Sequence, residues 1–213
     1  MRRESFPITR DAFPYLLVLL LLAGIFYFIF LPLSIFFLIL AGFVAFFFRN
    51  PRRTIPGDES LIVSPADGTV MEVSRVYEDS FLKGEAWKVS IFLSLFNVHL
   101  NRSPIAGEVK FRAYRPGKFL PAFKSHASEI NEKNFVGIEK DGLRVLVTQI
   151  TGLIARRIVC WVETGDRLEK GQLFGLIKFG SCTEIFLPLD VEITVKPKDK
   201  VKGGETVIGR IKK

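Results

Sequence analysis

The chain reads as an N-terminal transmembrane helical hairpin followed by a mainly β domain of lipoyl- or biotinyl-like sandwich units, with one short helical segment. Three observations predict this class. No charged residue occurs between positions 12 and 48. Beyond position 60 the sequence breaks into short strand-like runs punctuated by Gly, Pro and Asp. Two stretches, 162–172 and 195–205, repeat one pattern at an offset of 33 residues.

The uncharged block comes first. It is hydrophobic all round, which suits lipid better than a protein core. One spanning helix takes about 20 residues, so the block is too long for one span and long enough for two short ones. Leu31-Pro32-Leu33-Ser34 lies at its middle, and proline removes a helix donor there. Arg2, Arg3 and Arg10 precede the block, and Arg49, Arg52 and Arg53 follow it. With both flanks basic and the middle uncharged, both ends belong in the cytoplasm. One tilted span or a shallow re-entrant pair is the competing arrangement. A cleaved signal peptide fits poorly, because the run is too long and no small-residue cleavage site follows it. The chain divides accordingly into an anchoring segment, 1–53, and a β domain, 54–213.

Charge and cysteine usage narrow the class. The net charge is +8, and the first 53 residues supply half of it. Arginines beside a membrane segment attract anionic headgroups. No helix-turn-helix, zinc or RNA-binding signature accompanies the charge, which argues against nucleic acid as a partner. Cys160 and Cys182 are the two cysteines and have no metal-ligand spacing, which fits a reducing compartment. Two histidines give little basis for a histidine metal site.

Strand-like runs follow over 61–63, 68–76, 87–93, 107–111, 135–139, 144–150, 157–162, 173–179, 182–187, 191–195 and 206–211. Many short strands at such spacing predict an antiparallel sandwich or barrel. The polar stretch 121–133 is the candidate helix. Both members of the 33-residue repeat read as strand, Asp turn, Val or Leu, Gly turn, strand. Ala66-Asp67-Gly68-Thr69-Val70 and Ala106-Gly107-Glu108-Val109 share a second common core.

The residues that can carry chemistry are few. In Phe179-Gly180-Ser181 a serine hydroxyl follows a glycine carbonyl with no side-chain bulk in the way. Such a serine can attack that carbonyl and cut the chain, although Gly-Ser alone usually marks a turn. His99 carries an imidazole, a group able to change charge near neutral pH and so suited to proton transfer, or it simply closes a strand. Asp67, in Pro65-Ala66-Asp67-Gly68, reads as a turn aspartate. His126 sits in a polar segment and is the reserve base. Arg156 and Arg157 suit a phosphate or carboxylate, and suit surface ion pairs equally well. Cys182 reads as a packing residue.

Four stretches in order carry a resemblance. They are Val63-Ser64-Pro65-Ala66-Asp67-Gly68-Thr69-Val70, Phe92-Leu93-Ser94-Leu95-Phe96-Asn97-Val98-His99-Leu100-Asn101-Arg102-Ser103-Pro104, Ala155-Arg156-Arg157-Ile158 and the run ending at Gly180-Ser181. With the hydrophobic block and Arg49-Asn50-Pro51, they resemble the short, membrane-anchored bacterial and archaeal phosphatidylserine decarboxylases over nearly the whole chain. The resemblance implies a proenzyme that cuts itself at Gly180–Ser181 into a β chain, 1–180, and an α chain, 181–213. It implies a covalent pyruvoyl cofactor made from Ser181, and decarboxylation of phosphatidylserine to phosphatidylethanolamine and CO2 through a Schiff base. It assigns Asp67, His99 and Ser181 to a self-cleavage triad. It implies membrane lipids as partners and the cytoplasmic face of the cell membrane as location, and leaves a homodimer open. Longer members carry an aspartate two residues before the first histidine and a second histidine three residues after it; Asn97 and Arg102 stand there in this chain. Two alternatives stay open. One is a non-enzymatic membrane adaptor with a lipoyl-like domain; the other is a pyruvoyl decarboxylase of another amino-acid headgroup.

Overall fold

The computed structural model describes residues 6–120, 130–152, 157–178 and 181–212. The chain forms two compact units, Met1–Arg52 and Arg53–Lys213. In the first, a 3-10 turn leads into α1 (Phe13–Ile29), and α2 (Leu31–Phe47) follows after one extended residue, Phe30. Pro14 and Pro32 lie in the first turns of the two helices, where a missing N–H costs no intrahelical bond. The proline thus starts a second helix and does not kink a single one. The helices run antiparallel. Ser34 Oγ donates to the Ala23 carbonyl at 2.8 Å, the Phe26 and Phe37 rings stack at 5.6 Å, and Thr9 N reaches Phe48 O at 3.0 Å. Leu17, Leu21, Phe28, Ile29 and Ile39 remain exposed around them. The segment Arg10–Ile29 is long and apolar enough to cross a membrane, and Leu31–Phe47 is shorter.

The second unit is built of strands: β1 (Leu61–Val63), β2 (Gly68–Glu78), β3 (Gly84–Leu93), β4 (Leu100–Arg102), β5 (Gly107–Arg115), β6 (Lys133–Lys140), β7 (Leu143–Thr151), β8 (Arg157–Cys160), β9 (Arg167–Leu168), β10 (Leu173–Lys178), β11 (Ser181–Pro188), β12 (Val191–Ile193), β13 (Lys200–Val201) and β14 (Val207–Ile211). The pairings among them are antiparallel. The helix expected over 121–133 lies mostly outside the described residues, and its last position, Lys133, opens β6 instead. The sequence reading also missed β4, β9 and β13: β9 and β13 are two residues each, and β4 carries the polar Asn101 and Arg102 in place of an apolar run.

The topology is that of a repeat inserted into its own copy. The eight-stranded sheet runs β13-β2-β3-β11-β7-β6-β5-β9, and the two small sheets run β1-β14-β12 and β4-β10-β8. Exchanging β1, β2, β3, β11, β12, β13 and β14 for β4, β5, β6, β7, β8, β9 and β10 reproduces all three orders. We call the first set the outer repeat and the second the inserted repeat. The hydrogen bonds match in detail. Val63 N donates to Pro104 O at 3.0 Å and Arg102 N to Pro65 O at 2.9 Å. Gly204 N donates to Ser64 O, and Gly171 N to Ser103 O, both at 2.8 Å. A bulge falls after Val70 in β2 and after Val109 in β5. Gly171 and Gly204 both adopt positive φ, +79° and +80°, and the Ile55 side chain lies against both. These two glycines are the Gly turns of the 33-residue sequence repeat, so that repeat is one segment of this duplication.

The core is drawn from both copies: Ile62, Val89, Ile91 and Ile185 of the outer repeat, and Val136, Ile138 and Val147 of the inserted one, all buried. Burying each such side chain contributes about 1.5–3 kcal/mol. β11 lies at the centre of the large sheet between β3 and β7. Ile185→Ala there leaves a cavity and costs about 2–5 kcal/mol.

Candidate active site

Ser181 is the first residue of β11. It is registered with Leu93, the last residue of β3, on one side and with Thr151, the last residue of β7, on the other. It is fully buried, and its Oγ makes no hydrogen bond with the described residues. A buried hydroxyl without a partner costs about 1–3 kcal/mol and calls for an explanation. Gly180 lies outside the described residues.

His99 immediately precedes β4 and is fully buried. Its Nδ1 lies 3.0 Å from the Asn97 carbonyl oxygen. A carbonyl can only accept, so Nδ1 carries the proton and Nε2 is the basic nitrogen. Asn97 is itself held in a tight turn. Its amide oxygen accepts from Ser94 N at 2.9 Å and from Ser94 Oγ at 2.7 Å, and its N–H donates to Ser94 O at 2.9 Å. Asn97 therefore shapes the turn whose carbonyl orients the imidazole. The backbone of His99 is fixed as well, through Ile177 N to His99 O at 3.1 Å.

The Asp67 carboxylate accepts from Arg53 Nη2 at 2.8 and 2.7 Å and from Gly203 N at 2.8 Å. Arg53 also lies 3.6 Å from Glu205. Asp67 touches the His99 strand only through its loop, where Pro65 O accepts from Arg102 N at 2.9 Å and from Asn101 Nδ2 at 3.4 Å. Arg102 is buried and donates to Gly171 O at 2.9 Å. Arg157 is exposed at the start of β8, paired with Lys178 of β10. Arg156 and His126 lie outside the described residues. Cys182 points to the opposite sheet face from Ser181, among Ile150, Met71 and Phe92. Burial pushes its thiol well above the usual range, so it stays protonated and inert. Among the described residues no cluster of three or more His, Cys, Asp or Glu could hold a metal ion.

Four buried polar side chains escaped the sequence reading. Asn134 Nδ2 donates to Gln149 Oε1 at 2.8 Å, Gln149 Nε2 to Asn101 Oδ1 at 2.9 Å, and Asn101 Nδ2 to Thr183 Oγ1 at 3.0 Å. Their signal was an amide inside an otherwise apolar strand, as in Val145-Leu146-Val147-Thr148-Gln149-Ile150.

Comparison with known proteins bears directly on this arrangement. The family model for phosphatidylserine decarboxylase matches residues 40–209. A phosphatidylserine decarboxylase proenzyme of Carboxydothermus hydrogenoformans is 58% identical over 213 residues, covering 99% of both chains. The chain belongs to the phosphatidylserine decarboxylase family. A second proenzyme of that name, from Symbiobacterium thermophilum, is 52% identical over 99% of this chain and 98% of its own. A third, from Geotalea uraniireducens, is 45% identical over 98% of this chain and 99% of its own. All three relatives are named as proenzymes.

Proposed function

We propose that this chain cuts itself between Gly180 and Ser181 and then decarboxylates phosphatidylserine to phosphatidylethanolamine and CO2. The observation that carries the reading is the buried Ser181 hydroxyl without a partner. His99 Nε2 takes the Ser181 Oγ proton, and Oγ attacks the Gly180 carbonyl carbon. The C–N bond breaks, an ester links Gly180 to Oγ, and the Ser181 nitrogen becomes an amine. Loss of the Ser181 α-proton then expels the Gly180 carboxylate and leaves dehydroalanine. Water displaces ammonia from its imine form, and a pyruvoyl group caps the 181–213 fragment.

That group supplies a ketone for the substrate amine and a sink for the electron pair released with CO2. The chain's own residues do the rest. Ser181 and its neighbours Leu93 and Cys182 are all buried, so the head of β11 is shielded from water. His99 returns a proton to the substrate α-carbon. Asp67 acts at one remove, as the tie described above, and Arg156 and Arg157 reach for the substrate phosphate. The cut does not release the small fragment, because β11 pairs with β3 over Ser181–Pro188, β13 pairs with β2 and β14 with β1. We also read segment 1–53 as a membrane-spanning hairpin that keeps the 54–213 catalytic domain against the lipid on the cytoplasmic face. The two repeats are read as lipoyl- or biotinyl-like units. A homodimer is compatible with this reading and not required by it.

Electrophoresis and mass spectrometry of the purified protein test it. Two fragments are expected, 1–180 and a pyruvoyl-capped 181–213. A single intact chain with unmodified Ser181 overturns the reading.

A further inference from the structure

The chain of bonds from Asn134 through Gln149 and Asn101 to Thr183 has no counterpart in the duplicated half of the molecule. The register identifies the equivalent positions. Asn134 pairs with Gln149 across β6 and β7 as Trp87 pairs with Leu187 across β3 and β11. Gly175 faces Asn101 across β10 and β4 as Gly209 faces Ile62 across β14 and β1. Thr183 is registered with Ile91 as Val145 is with Ile138. A Cβ on Gly175 would meet Gln149 Nε2 at 2.6 Å, and a Cβ on Gly209 would have Leu187 Cδ1 at 3.5 Å. The outer repeat therefore fills the same space with Ile62, Leu187 and Trp87, and the inserted repeat adds Val145 opposite Thr183. All four belong to the apolar core or pack on it.

The fold thus has a working apolar solution at these positions. A satisfied buried amide contributes little net stability, and a half-satisfied one is costly. Stability alone does not account for four of them, each with 2% or less of its surface exposed. Their placement does. Asn101 lies two residues beyond His99, Thr183 two beyond Ser181, and Gln149 two before Thr151, the registered partner of Ser181. Residues two apart on a strand share a face and lie roughly 7 Å from each other.

We propose that the Asn134–Gln149–Asn101–Thr183 relay is a positioning device for self-cleavage. It holds the strand that follows His99 against the strand that begins at Ser181. The proposal rests on the self-cleavage reading above. Asn101 and Thr183 fall on opposite sides of the cut, so their bond also becomes a non-covalent tie between the two fragments at the reacting end.

The test uses the full chain, synthesised without cells into phospholipid vesicles so that cleavage is followed in time. Thr183→Val keeps volume and strand pairing and deletes the Asn101 bond. It should remain folded by circular dichroism and cleave about 10-fold more slowly, the effect of a bond of roughly 1.4 kcal/mol. Thr183→Ser, which keeps the hydroxyl, should restore the rate. A purely structural role moves the rate only as far as the folded fraction falls, so slow cleavage by fully folded Thr183→Val is the supporting result. A second variant replaces the relay with its counterparts: Asn101→Ile, Gln149→Leu, Asn134→Trp and Thr183→Val together. It should fold and cleave more slowly than Thr183→Val. Wild-type cleavage by either folded variant overturns the proposal. An uncut wild-type chain overturns the self-cleavage reading, and the proposal with it.

Discussion

The two repeats share a backbone plan and differ where chemistry is expected. Ile211 N donates to Ser60 O at 2.9 Å as Ile177 N donates to His99 O at 3.1 Å, so Ser60 stands at the histidine position. Ala106 stands at the Asp67 position in the matching loop, and Leu143 at the Ser181 position. The equivalent site, which like the first draws on both repeats, borders a cavity of about 620 Å3 lined in part by Ser60, Ala106, Leu143 and Lys212. The deepest difference is in connectivity. In the inserted repeat β6 turns straight into β7 through Asp141 and Gly142, both at positive φ (50° and 83°), a relaxed hairpin turn. In the outer repeat the chain leaves β3 at Leu93, builds the whole inserted repeat and returns at Ser181. Ser181 therefore occupies the place of Leu143. If the chain is cut before Ser181 as proposed, the cut falls where the chain returns from the insertion, and the sheet is kept because β11 stays paired on both sides.

The largest effect that can break this comparison is loss of the reaction. Ser181→Ala should stay one chain and show no decarboxylation. His99→Ala should lose at least most of both activities; normal cutting and turnover by that variant would remove His99 from the site. The reciprocal graft sharpens the point. Leu143→Ser with Ser60→His places both reactive groups at the equivalent site related by the duplication, yet the closed turn at 141–142 should leave that bond uncut. Mass spectrometry showing scission after Gly142 would mean that residue identity, and not the opened turn, decides where the chain is cut.

Next in size is the clamp on Asp67. Arg53 and Asp67 are a nearly buried pair, with 7% and 14% of their side chains exposed. Removing one partner strands the other charge, so Arg53→Met or Asp67→Ala should each cost about 3 kcal/mol. The other repeat does without the pair at Ala106, so the double variant should be less destabilised than either single one. Denaturation in detergent, followed by the fluorescence of Trp87 and Trp161, measures this. Full additivity of the two losses would show that the residues act separately. Equal slowing of self-cleavage by both single variants would make Asp67 a tie; slowing by Asp67→Asn alone would make it a direct participant.

Much of this plan was legible in the residues. The charge-free block with Pro32 at its middle announced two short helices, and eleven of the strands left alternating or apolar runs. The 33-residue repeat was a true fragment of the duplication. The rest was hidden for physical reasons. The offset between equivalent positions is 39 for Leu61 and Leu100 but 33 for Arg167 and Lys200, and it changes sign across the insertion, so no single period survives. The partner of Asp67 was hidden because an Asp-Gly turn looks the same whether its carboxylate faces a histidine or an arginine from the linker. The relay was invisible because Asn101 and Gln149 are apolar-strand interruptions until their partners are known.

The smallest effect lies at the far ends of β2 and β5, where the repeats also part. β2 turns directly into β3, whereas β5 and β6 are joined by residues 116–132. The tight turn is organised by Glu78. Burial pushes its carboxyl up, but bonds from the Ser80 hydroxyl and from Phe81 N, Leu82 N and Ser80 N outweigh that and hold it below its usual range. A carboxylate lowered on folding stabilises the protein above its unfolded pKa, near 4.5, and that contribution fades as pH falls through the folded value. Charge-assisted bonds of this kind contribute about 2 kcal/mol in all. Glu78→Gln should therefore lower stability at pH 7 by about that amount and flatten its fall between roughly pH 5 and pH 3. The β5–β6 connection has no equivalent carboxylate, because Gly117 stands at that position. If Glu78→Gln leaves the acid limb of the denaturation curve unchanged, the pH response of the sheet arises elsewhere and the two turns differ in length alone.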